Sequence, residues 1–331
     1  MGNVPLPLIS RRRLRKVLLA LAPLPIVAAS MALANWARTD QMSGATRNTF
    51  QNLSGVDPVE RPVDEVEDLG PMEASCQETL DRLSSRLCSD CEFVLRPPLV
   101  LGGNLTQSEL IARYQATIQP AFRAMQATYF DASPTSPITI LLFSDARSYR
   151  EFSKRLLGHR HLSLYGYYRP SAGMVVVNLG AGAGTIVHEL THALMEYDFP
   201  DVPVWFNEGL ASLHEECRWI HRDGKGVLEG LPNWRYRILH QAIQTDELTS
   251  ISDLFGTQQV RGPDEAINYA YARYFCMFLQ ERGLLETFYR EFREHVAEDP
   301  TGVNTLQRLI SVESWQTLDA DFREWAVGLA K

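Results

Sequence analysis

Residues 185–196 read T-I-V-H-E-L-T-H-A-L-M-E, and the pattern His188-Glu189-x-x-His192 within them organises the rest of the chain. On a helix, side chains four apart stand one turn above each other on the same face. Two imidazoles so placed can chelate one metal ion without straining the backbone. Glu189 lies about a quarter-turn round, within reach of a water at the metal. Ile186, Val187, Leu190, Ala193 and Leu194 supply an apolar surface, so the segment reads as a buried helix with Thr185 as its N-cap. Two histidines and a glutamate on a buried helix need partners, because burying unpaired polar groups is costly. A metal meets that demand. Zinc takes imidazole and carboxylate ligands, keeps a position open in catalytic sites and lowers the pKa of water towards ~7. Glu189 is then placed to act as general base.

The third ligand decides the class. In one large group of such sites, a Gly follows three residues after the second His and a further His three after that. Here those positions are Met195 and Asp198, and the turn-making Gly is absent. Asp198 remains a conceivable ligand but lacks the same turn. Downstream lies Pro203-Val-Trp-Phe-Asn-Glu-Gly-Leu-Ala211, followed by a helical-looking run to Glu216. Glu208, on this second helix, completes a His, His, Glu set and is the expected third ligand.

H-E-L-T-H followed by W-F-N-E-G-L-A resembles the gluzincins, the thermolysin-like zinc metallopeptidases, and more closely the peptidase MA-like bacterial proteins with P-x-W-x-x-E-G-x-A after the His-Glu-x-x-His. The resemblance implies zinc on His188, His192 and Glu208, with Glu189 as general base. It extends more weakly over about Phe93–Lys331. Tyr269-Ala-Tyr-Ala-Arg-Tyr274 resembles the family helix whose tyrosine steadies the oxyanion. Tyr269 is the first candidate and Tyr271 the second, against ordinary core packing. One departure stands out. Thermolysin has an Asp four residues after its ligand Glu, orienting a histidine, and here that place is Ser212.

The chain has 331 residues, a formal net charge of −8 and enough apolar residues for a sizeable core. The basic run Arg11–Lys16 precedes an apolar run, Val17–Ala34, and residues 1–34 hold no acid, so the remainder is more acidic still. That argues against nucleic acid as a partner. Residues 1–34 read as a signal peptide, with Ala32-Leu-Ala34 as a small-x-small cleavage site, or as a retained membrane anchor. Ser10-Arg11-Arg12-x-Leu14 also resembles a twin-arginine signal. The protein is therefore expected to be exported, to the periplasm, cell envelope or outside, and to associate with the membrane if the segment stays. Residues 35–91 read as a linker, acidic and Pro-rich and then Cys-containing. Of Cys76, Cys88, Cys91, Cys217 and Cys276, a structural disulfide involving Cys76 is expected, with Cys276 as a core thiol.

Residues 92–331 are expected to form the catalytic domain. Phe93–Gly102, Pro137–Phe143, Tyr165–Arg169 and Met174–Leu179 read as strands, and Gln107–Tyr129, kinked at Pro120, and Ala146–Leu157 as helices. Gly180-Ala-Gly-Ala-Gly184 lacks the spacing of a dinucleotide loop and reads as a flexible link bringing backbone near the metal site. After Glu216 the pattern is mostly helical. The other histidines, His159, His161, His214, His221, His240 and His295, lack ligand spacing. The expected fold is α+β and zincin-like: an N-lobe with a small mixed or antiparallel sheet, a central His-Glu-x-x-His helix and a helical C-lobe. The expected activity is hydrolysis of peptide bonds in a peptide or protein substrate. The rival is a non-catalytic, zinc-binding envelope scaffold that keeps the same fold.

Overall fold

The structure is a computed structural model describing residues 70–329, apart from 88–89, 158–162, 223, 258–259, 261 and 312–313. The expected signal or anchor and the stretch up to residue 69 lie outside the described residues. Among those described, no helix is long and apolar enough to cross a membrane.

Pro71 suits the first turn of a helix, where its missing N–H is no loss. Helix α1 runs Pro71–Ser84. Its Cys76 and Leu83, two turns apart, face one side and pack with Val100, Leu141 and Phe143. Within the stretch expected as a linker, residues 71–84 thus form a helix packed on the sheet. Cys76 is a free, buried thiol, while Cys91 is disulfide-bonded. The expected disulfide at Cys76 is thus corrected: burial against the sheet is its role.

Strands β1 (Glu92–Arg96) and β2 (Leu99–Gly103) form an antiparallel hairpin across Pro97-Pro98. A capping box between Thr106 and Glu109 starts α2, Gln107–Arg113. Pro120 cannot donate to residue 116, and the turn ahead of it, Tyr114–Ile118, is wound as a π-helix before α3, Gln119–Thr128. Strand β3 (Ile138–Phe143), helix α4 (Ala146–Leu157), strand β4 (Gly166–Arg169) and strand β5 (Met174–Asn178) complete a five-stranded sheet in the order β1-β2-β3-β5-β4. The inner strands β2, β3 and β5 are parallel, and the outer two run antiparallel to their neighbours.

Both faces of this mixed sheet are covered, which is why β3 and β5 are buried at every position. Ile140, Leu142, Val175 and Val177 face the central helix side, while Leu141 and Val176 face α1 and α4. Met174–Asn178, expected as a strand, pairs on both sides, with β3 and with β4. It is therefore interior, and β1 and β4 are the two edge strands.

The central helix α5 is Gly184–Asp198, followed by α6, Val204–His214. A hairpin of β6 (Cys217–Arg222) and β7 (Lys225–Gly230) interrupts the expected helical half. It is held in part by Trp219, whose ring covers Gly226 so closely that a Cβ there would fall 1.9 Å from it. Helices α7 (Arg235–Gln244), α8 (Ile251–Gly256), α9 (Glu265–Glu281), α10 (Leu285–His295), α11 (Val303–Ile310) and α12 (Trp315–Gly328) follow.

Helix α6 is pressed onto α9 at Gly209. A Cβ there would lie 2.8 Å from the Ala272 carbonyl oxygen and 2.9 Å from Cys276 Sγ. Gly209→Ala should therefore destabilise the domain by about 1–3 kcal/mol through overpacking. Urea unfolding checks this, and an unchanged midpoint would mean that the two helices separate freely.

Candidate metal centre

Helix α5 begins at Gly184, with Ala183 at the N-cap and no side-chain cap, so Thr185 lies inside the first turn rather than capping it. The apolar side chains Ile186, Val187, Leu190, Ala193 and Leu194 are all buried. The remaining stripe brings His188 and His192 together, with their Nε2 atoms 3.0 Å apart. Glu208 arrives from α6, its Oε2 3.6 Å from His188 Nε2 and 3.5 Å from His192 Nε2. Ligand atoms on a tetrahedral zinc, each ~2.0–2.1 Å from the metal, stand about 3.3–3.4 Å from one another. The three donors thus fit such an ion. Glu208 Oε2 is also buried without a hydrogen-bond partner, the state of a carboxylate oxygen that awaits a cation.

An oxygen stands beside the other nitrogen of each imidazole. His192 Nδ1 is 2.6 Å from Asn207 Oδ1, and His188 Nδ1 is 3.0 Å from Glu215 Oε1. The acceptor at His192 Nδ1 favours the tautomer whose Nε2 lone pair is free for a metal, whereas the Glu215 carboxylate stands at ion-pair distance from His188 Nδ1 without hydrogen-bond alignment. Sequence reading missed both. It looked four residues beyond Glu208, at Ser212, whereas α6 returns to the same side after two full turns, at Glu215. Glu215 pairs in turn with Arg235.

The electrostatics favour positive charge between the rings. Burial pushes the His188 pKa down, but Glu208 and Glu215 outweigh it and lift it to about 10. Burial is likewise the largest influence on His192 and pushes it down, and Glu208 and Glu189 together outweigh it and raise the pKa. Burial pushes Glu208 up, yet the two imidazoles hold it well below the usual carboxylate range. Burial likewise opposes Glu215, and Arg235 and His188 bring it down to about 2. Glu189 differs: burial dominates and raises it, despite both histidines. A second carboxylate thus flanks the pair, since Glu189 also offers an oxygen within 4.8 Å of both imidazole donors. The edge strand runs beside it, because a Cβ on Gly166 would meet Glu189 Cγ at 3.4 Å.

Asp198 is not near these donors in role. Its carboxylate accepts from the backbone N–H groups of Asp131 and Ala132, from the Tyr289 hydroxyl and from Arg293. It ties the end of α5 to α10, so the alternative third ligand, Asp198, has its carboxylate engaged elsewhere. Asp198→Ala should cost roughly 3–5 kcal/mol, the penalty for breaking a buried pair, while the metal content stays at the wild-type value. Chemical unfolding and elemental analysis together check this; metal loss from the folded variant would restore Asp198 as a ligand.

Tyr269 is half-buried on α9, 5.7 Å below the guanidinium of Arg235. The structure therefore brings it next to a residue that pairs with Glu215. Tyr271 points elsewhere, buried against Phe322 of α12 with ring centroids 5.2 Å apart. His214 is a core residue. It packs on Tyr129 and is pushed down to about 3 by burial, so it stays neutral. His221 and His295 lie at the surface, and His159 and His161 fall outside the described residues.

No family model matches the chain, and no curated protein does. Among solved structures it aligns with native yeast LTA4 hydrolase, at a TM-score of 0.40 and 15% identity, over 70% of this chain and 38% of that one. The chain thus spans less than half the length of that protein. The mixed α+β architecture and the grouping of His188, Glu189 and His192 are properties of this chain itself, and its chemistry rests on them.

Proposed function

We propose that this chain is a zinc metallopeptidase of the gluzincin type, with a zincin-like fold. The observation that carries the reading is the triangle of His188 Nε2, His192 Nε2 and Glu208 Oε2, with sides of 3.0–3.6 Å and an orphaned carboxylate oxygen at one corner. Zinc held there would supply Lewis acidity towards a scissile carbonyl and lower the pKa of water towards ~7. Glu189 takes the proton from the attacking water and delivers it to the leaving amine. Its raised pKa suits it to both tasks. Glu208 rather than Glu189 is assigned as ligand because its oxygen sits 3.5–3.6 Å from both imidazoles. Tyr269, beside Arg235, is the candidate donor to the oxyanion.

The edge strand β4 aligns an extended peptide, since its first residue, Gly166, lies against Glu189. The absent acid at position 212 keeps the non-catalytic scaffold open as the rival reading. Glu215, 3.0 Å from His188 Nδ1, is the acid available for the orienting role in its place, and this supports the catalytic reading. The basic-then-apolar N-terminus supports export, with cleavage after Ala34 or retention as an anchor.

The test is hydrolysis of a diverse peptide library by zinc-loaded protein, with and without chelator. Chelator-sensitive cleavage is the expected result. Fully metallated protein that leaves the whole library intact would make the chain a zinc-binding scaffold.

A further inference from the structure

Arg235 is the first residue of α7, a helix without a side-chain cap at its start. A cation in the first turn opposes the helix dipole, so local preference does not explain it. Its surroundings do. The guanidinium pairs with the Glu215 carboxylate, and both side chains are mostly buried. It also lies 4.3 Å over the ring of Trp234 and 5.7 Å over that of Tyr269. The other end of Glu215 is confined by the glycine-rich stretch. Helix α5 starts against the Glu215 backbone so tightly that a Cβ on Gly184 would fall 2.1 Å from its carbonyl oxygen. Gly184 is one turn before His188, whose Nδ1 is 3.0 Å from Glu215 Oε1.

We propose that Arg235 and Gly184 are positioning residues that fix Glu215 by its side chain and its backbone, and through it the metal-binding imidazole of His188. Arg235 extends the same link to Tyr269, so one planar guanidinium sets both the histidine and the phenol. A flat fork that pairs with a carboxylate while lying over aromatic rings is a task for Arg rather than Lys. The inference rests on the zinc reading of the site.

The experiment measures the zinc dissociation constant of the full chain by competition with a chromophoric chelator. Arg235→Gln should weaken zinc binding by roughly 10–100-fold, the usual effect of losing a group that orients a ligand. Arg235→Lys keeps the charge and should fall between. Arg237→Gln makes the same charge change at an exposed site on the same helix and should bind zinc like wild type. Gly184→Ala should weaken binding as Arg235→Gln does, and if it does not fold, the Arg235 pair decides alone. Wild-type affinity in Arg235→Gln, or an equal loss in Arg237→Gln, overturns the proposal while leaving the zinc site intact. A wild-type chain that binds no zinc overturns both. One that binds zinc but cleaves nothing overturns only the peptidase reading, and the affinity series still decides the positioning roles.

Discussion

Glu189→Gln should keep zinc near one per chain while peptide hydrolysis falls by several orders of magnitude. The side chain is buried beside His188 and His192, and burial already raises its pKa. Glutamine keeps the size and hydrogen-bonding shape but cannot accept a proton. General-base assistance alone is worth roughly 10²–10⁴-fold. Losing a carboxylate charge next to a metal adds to that. Stability should hardly change, because an isosteric neutral group replaces a buried charge that burial disfavours. Elemental analysis and a peptide assay on the same preparation separate the roles. Glu189 is also within ligand distance of the imidazole pair. If zinc is lost from Glu189→Gln and kept in Glu208→Gln, the two carboxylates have exchanged roles.

What the sequence reveals here is what local spacing encodes. The repeat of four in His188 and His192 places both on one helix face, and α4 and α5 follow from their apolar periodicity. The turn at Pro170–Gly173, with Gly173 at φ 53°, has the residue types such a backbone needs. The departures are all cases where a distant partner decides. Strand order put β5 inside the sheet and β4 at its edge, and the order depends on crossovers that periodicity does not record. The β6–β7 hairpin hides because exposed charges dilute its pattern and Trp219 covers Gly226 only across the strands. Cysteine spacing gave no guide to Cys76, whose burial comes from the sheet beneath α1. Glu215 was missed because its relevance comes from touching His188 on another helix. The grouping of His188, Glu189 and His192 is therefore legible in the sequence, while Asn207 and Glu215 beside the two imidazoles are not.

Glu208→Gln tests the metal site by a route independent of catalysis. A neutral amide is a poor zinc ligand, and its loss leaves two imidazoles without the carboxylate that now favours positive charge between them. A ligand that binds only the folded state stabilises it by RT ln(1 + [L]/Kd), about 4 kcal/mol at a thousandfold excess over Kd. For a domain of this size that corresponds to a rise in Tm on the order of 10 °C. Wild-type protein should show this rise when zinc is added to chelator-stripped chain. Glu208→Gln should show little of it at the same free zinc, and His192→Ala little as well. Asp198→Ala should start from a lower Tm but keep the full zinc-dependent increment, since its carboxylate serves α10 and the 131–132 backbone rather than the metal. The increment, rather than the Tm itself, is the diagnostic quantity, because it cancels any general destabilisation. An undiminished increment in Glu208→Gln would remove Glu208 from the ligand set. It would also leave its buried, unpartnered oxygen as a cost to the fold with no compensating contact.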